Sequence, residues 1–455
     1  MHQITVKDFV GLNLGDTRRN ERFVSIINNI TRYPGKSIPN QSGGWYDTKA
    51  TYSFFKNEDV TLSSLQQAIM RFGSKQAGVF NKILIAHDIS NISYHDLKAD
   101  GLGYLDNKEG RGIMCYSSVA ISEDGVPLSL VYQQTWTRPE EQLGKRRYRK
   151  TTPFEQKETY EWYKGIQEVN KQLGDCIGKL HIADRGADIY ELFFSAFEKN
   201  TDLLVRSTHN RRLSDGSHLW DNVAEQPIVA TVALQIPDKT GKKKTSIEVE
   251  VRYHRVEILR PAISKNRYES VELSAIEIKQ VGDKQEWQEE LLNWRLLTTL
   301  EITTVTEALQ CVKWYCYRWL IERFHYVLKS GTKIEELQLK DAGSLQKAIH
   351  VYSMAAMRIM QMVYQSRITP EVSCEVVLTK GQWAAMYVLI HKTPNIPDQP
   401  PTLGQAVAWI GKLGGHLGRK SDGPPGLKTV WLGYQRVCDA ESFYTVFSTL
   451  NLGKD

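Results

Sequence analysis

The sequence has no uncharged apolar run approaching the ~18 to 20 residues that a membrane-spanning helix needs, which excludes an integral membrane protein. The first thirty residues lack an apolar signal region and carry Asp8, Asp16, Arg18, Arg19, Glu21 and Arg22 instead, so a cytoplasmic protein is expected. Cysteine is scarce: the six present (Cys115, Cys176, Cys311, Cys316, Cys374, Cys438) form no CxxC pair and no Cys/His zinc spacing. Ordinary thiols in a reducing compartment are the simplest reading. A strong charge excess is missing too. Lys plus Arg number 58 against 52 Asp plus Glu, and the resulting +6 permits a nucleic-acid partner without demanding one. With 41% hydrophobic residues the bulk of the 455-residue chain is not disordered, and at roughly 150 residues per domain it holds about two to four domains.

What is present is a chain whose hydrophobic period changes twice. Residues 1 to about 75 read as short helices, with Phe23, Val24, Ile26, Ile27 and Ile30 at helical spacing before the stop signal Tyr33-Pro34-Gly35-Lys36. From residue 82 the pattern becomes strand-like: Ile83-Leu84-Ile85-Ala86 ends at His87-Asp88, and 113–122 and 126–133 add two strands across the turn Glu123-Asp124-Gly125. A helix over about 154–173, the strand Lys179-Leu180-His181-Ile182-Ala183-Asp184, a helix over 189–199 and a strand over 203–206 complete a βββαβαβ order. That order predicts a mixed α/β sheet with helices on its faces. Residues 225–300 alternate with period two, as an antiparallel β insertion does. Helical periodicity returns over 304–328 and 345–364, and the tail from 376 is helical around a proline-rich linker at 393–402.

Two aspartates, Asp88 and Asp184, each close a short buried strand, where open sheets present ligand groups. Taken singly, such an aspartate is more often a turn or helix cap. A third carboxylate comes from the helical stretch around 314–329. Tyr315, Arg318, Glu322 and Lys329 fall within about 60° of one another at ~100° per residue and share one face. Tyr317, Leu320, Ile321, Phe324, Val327 and Leu328 lie opposite, so that side is expected to pack on the sheet. A solvated amphipathic helix would give the same pattern. Three acidic groups from separate elements suit a pair of hard divalent cations, which activate water or a 3′-hydroxyl and stabilise the leaving oxygen of a phosphodiester.

Tyr315-Cys316-Tyr317-Arg318-Trp319-Leu320-Ile321-Glu322 followed by Lys329 fits Y-x(2)-R-x(3)-E-x(6)-K, and on it the chain resembles the bacterial cut-and-paste DDE transposases of the insertion-sequence-four family, nearest to the transposon-five type. Asp184-Arg185-Gly186-Ala187-Asp188 looks like that family's second-aspartate motif and Ile85-Ala86-His87-Asp88 its first. The likeness also takes in Leu14-Gly15-Asp16-Thr17-Arg18-Arg19, Tyr33-Pro34-Gly35-Lys36-Ser37-Ile38, Thr137-Arg138-Pro139 and Asn293-Trp294-Arg295-Leu296-Leu297, and it covers roughly residues 10–365. It implies an RNase H-like mixed-sheet catalytic core with an antiparallel β insertion, flanked by helical terminal domains. The expected division is an end-binding domain over 1–75, a catalytic domain over 76–375 with the insertion at about 208–300, and a dimerisation domain over 376–455.

The resemblance also assigns roles. Asp88, Asp184 and Glu322 would hold two Mg2+ ions, with Mn2+ as a substitute. Tyr315, Arg318 and Lys329 would grip phosphates of a DNA hairpin, with Arg206 and Arg185 as further contacts. Trp294 matches a position where a flipped base stacks, although a core tryptophan in a strand fits the pattern too. Arg18, Arg19, Arg22, Arg32, Tyr33 and Lys36 match contacts to double-stranded transposon-end DNA, although an Arg-Arg-x-x-Arg helix can equally be a solvated face. The remaining implied partners are target DNA and a second copy of the chain in a synaptic homodimer, acting at the bacterial nucleoid, with no membrane. Gly186 stands where relatives often carry Glu, and 338–344 gives no secure match to end-DNA contacts. The competing readings are a non-catalytic end-binding regulator and an RNase H-like structure-specific nuclease. Residues 1–40, 141–150, 201–214 and 313–340 carry net charges of +3, +4, +2 and +3, so the nearly neutral average hides a basic set along the expected DNA path, including Lys145-Arg146-Arg147-Tyr148-Arg149-Lys150.

Overall fold

Residues 3–106, 110–142, 152–199, 201–237, 244–262, 264, 269–286, 288–419 and 422–450 are described by a computed structural model of the chain. The basic run at 145–150 lies outside these residues. The elements begin with four helices, α1 (Thr17–Arg32), α2 (Ile38–Gln41), α3 (Trp45–Lys56) and α4 (Leu62–Ala77). The core follows: β1 (Lys82–Ser93), β2 (Gly103–Tyr104), β3 (Arg111–Ile121), β4 (Pro127–Trp136), α5 (Tyr160–Leu173), β5 (Gly178–Ala183), α6 (Tyr190–Glu198) and β6 (Asp202–Arg206). The insertion holds α7 (Leu219–Glu225), β7 (Ala230–Pro237), β8 (Lys244–Leu259), β9 (Ser270–Gln280) and β10 (Asn293–Thr298). The chain then turns helical with α8 (Val305–Cys316), α9 (Trp319–Tyr326), a π-helical segment Val327–Gly331, α10 (Ala342–Ile368), α11 (Lys380–His391), α12 (Leu403–Leu413) and α13 (Leu427–Leu450). This is the mixed α/β order read from the sequence, with helical regions at both ends. Among the described residues no helix is long and apolar enough to cross a membrane.

Two units interleave along the sequence. Met1–Phe80, Ile89–Gly144 and Leu320–Asp455 form one, and Asn81–Asp88 with Lys145–Trp319 the other. Strand β1 is thus divided, its residues up to Asp88 belonging to the second unit and the rest to the first.

In the first unit, α1 starts where the Asp16 carboxylate accepts from the Arg18 backbone N–H at 2.7 Å, and it buries Phe23, Val24, Ile26, Ile27 and Ile30. It stops at Tyr33-Pro34-Gly35-Lys36, where Gly35 takes φ +76°. The antiparallel meander β2–β3–β4 is covered by α4 and α10. Only glycine fits at Gly73 of α4, because a Cβ there would lie 2.0 Å from the Leu130 carbonyl oxygen of β4. Helices α12 and α13 approach equally closely: a Cβ on Gly414 or on Gly433 would meet a backbone oxygen at 1.8 Å. That accounts for Gly414, whereas Gly415 is a glycine because its φ is +96°.

In the second unit the strands run in the order β1–β5–β6–β10–β9–β8–β7. The first half of β1, β5 and β6 are parallel, with Lys82 paired to Gly178 and His87 to Ala183 at the two ends of the β1–β5 ladder. β10 runs antiparallel to β6, pairing Leu296 with Arg206, and carries the insertion outward through β9, β8 and β7.

Three expectations need correction. Strand β1 continues to Ser93, so Asp88 sits within a strand and does not end it; the polar residues Asp88, Ser90 and Asn91 lie on a half-buried stretch that hydropathy does not register as strand. The helix expected over 154–173 begins at Tyr160, after a short 3-10 turn at Phe154–Gln156. The single helix expected over 304–328 is interrupted. Tyr317 and Arg318 donate their backbone N–H groups to Trp314 and Tyr315, three residues back, and after α9 the turn widens so that Thr332 donates to Val327, five residues back. Apolar spacing tolerates one tight and one wide turn, so the pattern conceals both.

Candidate active site

The second unit gathers residues from five elements. Asp88 comes from β1; Asp184 and Arg185 follow β5; Arg206 ends β6; Trp294 lies on β10; Tyr315 and Arg318 lie on and just after α8. The β1–β5 ladder explains the first pairing, because Asp88 and Asp184 are each the next residue after its last matched pair, His87 with Ala183. Asp184 caps the 3-10 turn Arg185–Ala187, accepting from the Gly186 N–H at 2.8 Å. A side chain at 186 would be built 2.8 Å from the Trp162 ring, which accounts for the glycine at this position.

The electrostatics are unbalanced on both sides. Burial raises the Asp184 carboxyl above its ordinary value, the negative charge of Asp88 raises it further, and the Gly186 N–H and the guanidinium groups of Arg318 and Arg185 oppose the rise. Burial pulls Arg206 below its ordinary value, and the neighbouring cations Arg185 and Arg318 add to this. Tyr315 is buried, contrary to the open polar stripe expected of it, and burial raises its hydroxyl above the ordinary value against the pull of Arg318 and Arg206. Its hydroxyl lies in the field of both guanidinium groups. Trp294 is half-buried, not a core residue, and meets the Tyr315 ring edge-on at a centroid distance of 5.3 Å.

Glu322 and Lys329 belong to the first unit, half-buried on α9 and on the π-helical segment respectively. Among the described residues no group of three or more His, Cys, Asp or Glu side chains is placed to hold a metal ion. The acidic pair of the second unit nevertheless suits a hard divalent cation. Its donors are carboxylate oxygens, and a cation between them would relieve the repulsion that lifts Asp184.

The N-terminal arginines have protein partners. Arg18 pairs with Asp16 at 2.9 Å, Arg19 with Asp59 at 2.5 Å, Arg22 with Asp47 at 2.7 Å and Arg32 with Glu441 at 3.7 Å. Arg32 also donates to Ser442 Oγ at 2.6 Å and lies over the Tyr33 ring. Lys36 is exposed on the turn after α1.

Sequence reasoning missed two features. Trp45 and Tyr46, at the start of α3, are 74% and 83% exposed, and adjacent aromatics behind Gly43-Gly44 were the available signal. His87 and His181 are fully buried against each other; a histidine inside each of two apolar strand runs was the clue. Burial lowers His87 to about 3 and holds His181 well below its ordinary value, so both are neutral.

Three family models match the sequence: one described as transposase DNA-binding over residues 1–60, one as transposase DDE domain over 163–358, and one as transposase Tn5 dimerisation domain over 354–443. The DDE span includes Asp184, Arg206, Trp294, Tyr315, Arg318, Glu322 and Lys329, and begins after Asp88. Among solved structures the chain is similar to a piggyBac transposase in a synaptic complex with hairpin DNA, at 12% identity and a TM-score of 0.36, over 69% of this chain and 52% of that one. The chain therefore spans about half the length of that protein.

Proposed function

The chain belongs to the Tn5-like DDE transposases of the insertion-sequence-four family, and from that premise we propose that it excises a DNA element by divalent-ion-dependent cleavage of its ends and joins the freed 3′-hydroxyls to target DNA. Hydrolysis nicks one strand, the 3′-hydroxyl attacks the opposite strand to form a hairpin, and a second hydrolysis opens it. The observation that carries this reading is the β1–β5 register, which makes Asp88 and Asp184 each the next residue after the pair His87–Ala183, beside the cations Arg185 and Arg318.

Asp88, Asp184 and Glu322 would hold two Mg2+ ions, or Mn2+ in their place. When bound, the metal supplies Lewis-acid activation of the attacking oxygen and charge stabilisation at the leaving one. The protein groups do the rest. Arg206 and Arg318, which flank Tyr315, present guanidinium donors to phosphates beside the scissile bond. Tyr315 stays protonated, its hydroxyl raised further by burial, and remains a neutral neighbour of the two cations. Trp294, braced edge-on by Tyr315, offers an indole face to a base flipped out of the sharply bent strand, a contact of about 1–3 kcal/mol. Lys329 and Arg185 add phosphate contacts. Arg18, Arg19, Arg22, Arg32, Tyr33 and Lys36 grip the double-stranded transposon end, and two copies of the chain synapse a pair of ends in the cytoplasm, at the nucleoid.

The test uses purified protein and a labelled end duplex in Mg2+. Asp88→Ala is expected to bind the end and yield neither nick nor hairpin; retained cleavage overturns the reading. Wild-type protein that binds the end without cutting is a regulator, and one that cuts without end preference or strand transfer is a structure-specific nuclease.

A further inference from the structure

We infer that His87, His181 and Asn170 form a registry lock that fixes β1 against β5 and thereby holds Asp88 beside Asp184. The three are positioning residues; none is argued to touch DNA or metal. The inference rests on the proposed role of the two aspartates.

The geometry is continuous from α5 through β5 to β1. Asn170 Oδ1 lies 2.9 Å from His181 Nε2, and His181 Nδ1 lies 2.8 Å from His87 Nε2. An amide oxygen only accepts, so His181 carries its proton on Nε2 and offers Nδ1 to the N–H of His87. The ring planes lie within 21° of each other with centroids 5.0 Å apart, as an in-plane N–H···N bond requires. Both are 0% exposed, so water does not substitute for either bond.

The strands need such a device. Along β1 the run Ile83-Leu84-Ile85-Ala86, and along β5 Leu180, Ile182 and Ala183, are buried whichever face they occupy. Hydrophobic alternation, the usual determinant of register, is therefore absent here. In the observed ladder Ile85 pairs with His181 and His87 with Ala183, which puts both imidazoles on one face and makes Asp88 and Asp184 the next residues on the other. A one-residue slip turns one aspartate to the imidazole face; a two-residue slip carries Asp88 about 6.6 Å along its neighbour. Either slip also leaves buried imidazole nitrogens unpaired, so the hydrogen-bonded chain selects the register that the apolar residues leave open.

The test compares the full-length double variant His87→Leu/His181→Leu, which removes the polar pair from both strands, with His87→Gln, which keeps an N–H donor near the position of Nε2. Two readouts are taken: the rise in Tm on adding Mn2+ without DNA, and the Mg2+ concentration for half-maximal end cleavage. The double variant is expected to fold cooperatively, to lose most of the Mn2+-induced rise and to need at least about tenfold more Mg2+, as loss of groups that orient metal ligands does. His87→Gln is expected to stay close to wild type in both. A double variant that folds with wild-type metal dependence overturns the inference, and so does one that fails to fold, which would make the pair a stability element. If wild type shows no Mn2+-induced rise and Asp88→Ala still cleaves, the reading of the aspartates falls and the lock falls with it.

Discussion

Charge is handled in opposite ways in the N-terminal helices and in the cluster around Asp184. Around α1 each of Arg18, Arg19, Arg22 and Arg32 has a carboxylate within 2.5 to 3.7 Å, so the charges there are balanced before any ligand arrives. Around Asp184 the balance is incomplete: burial and then Asp88 raise its carboxyl against the pull of Arg318 and Arg185, while burial and the neighbouring Arg185 and Arg318 lower Arg206. The first arrangement is stable alone and binds DNA only by exchanging partners. The second is left partly uncompensated, and groups of opposite sign would complete it: cations for the aspartates and phosphates for the arginines.

The sharpest way to break this contrast is to remove one member of the uncompensated cluster. Asp184→Asn is expected to lower end cleavage by about 10³-fold or more, because metal ions supply several kcal/mol to such reactions. Single-turnover cleavage of a labelled end measures it, with end binding by gel shift unchanged. Arg318→Ala removes one preorganised donor and is expected to cost about 10²- to 10³-fold in the same assay. Equal losses of binding and cleavage in Arg318→Ala would move that residue from the second class of charge to the first.

Exchange of partners makes a smaller and different prediction for α1. Arg22→Ala is expected to weaken end binding and to reduce the slope of log affinity against log salt by about 0.9, the value for one phosphate contact. Its effect on Tm should be slight, since half-exposed ion pairs contribute about 0 to 1 kcal/mol. A large loss of Tm with an unchanged salt slope would make the Arg22–Asp47 pair structural alone.

The same contrast governs how much the sequence disclosed. Asp184 was legible because an apolar strand stops one residue before it, and the β insertion because its strands alternate. Asp88 was legible as a residue but misplaced at a strand end, since a half-buried polar stretch looks like a loop to hydropathy. The break at Tyr317 and Arg318 was hidden because one tight and one wide turn leave the apolar stripe in phase. The partners of Arg19, Arg22 and Arg32 lie 25 to about 410 residues away in sequence, beyond anything local spacing encodes. The His87–His181 bond depends on the register of two strands 94 residues apart, and nothing short of the folded sheet reveals it.

The smallest expected effect bears directly on the uncompensated charge. Burial, and after it Asp88, raise the folded-state pKa of Asp184 above its ordinary 3.8, so the folded protein binds this proton more tightly than the unfolded chain does. Ionisation of Asp184 therefore destabilises the metal-free fold. The penalty is absent below 3.8, grows as pH rises through the folded-state value and is constant above it. Asp184→Asn removes the ionisable group and keeps the hydrogen-bond acceptor for Gly186. The metal-free variant should match wild type in strongly acid solution and exceed it in Tm near neutrality, while Mn2+ should stabilise wild type and leave the variant nearly unmoved. Melting curves at several pH values, with chelator and with Mn2+, measure both. A variant less stable than wild type at neutral pH would mean that Asp184 serves the fold, as the α1 carboxylates do, and the contrast between the two regions would not survive.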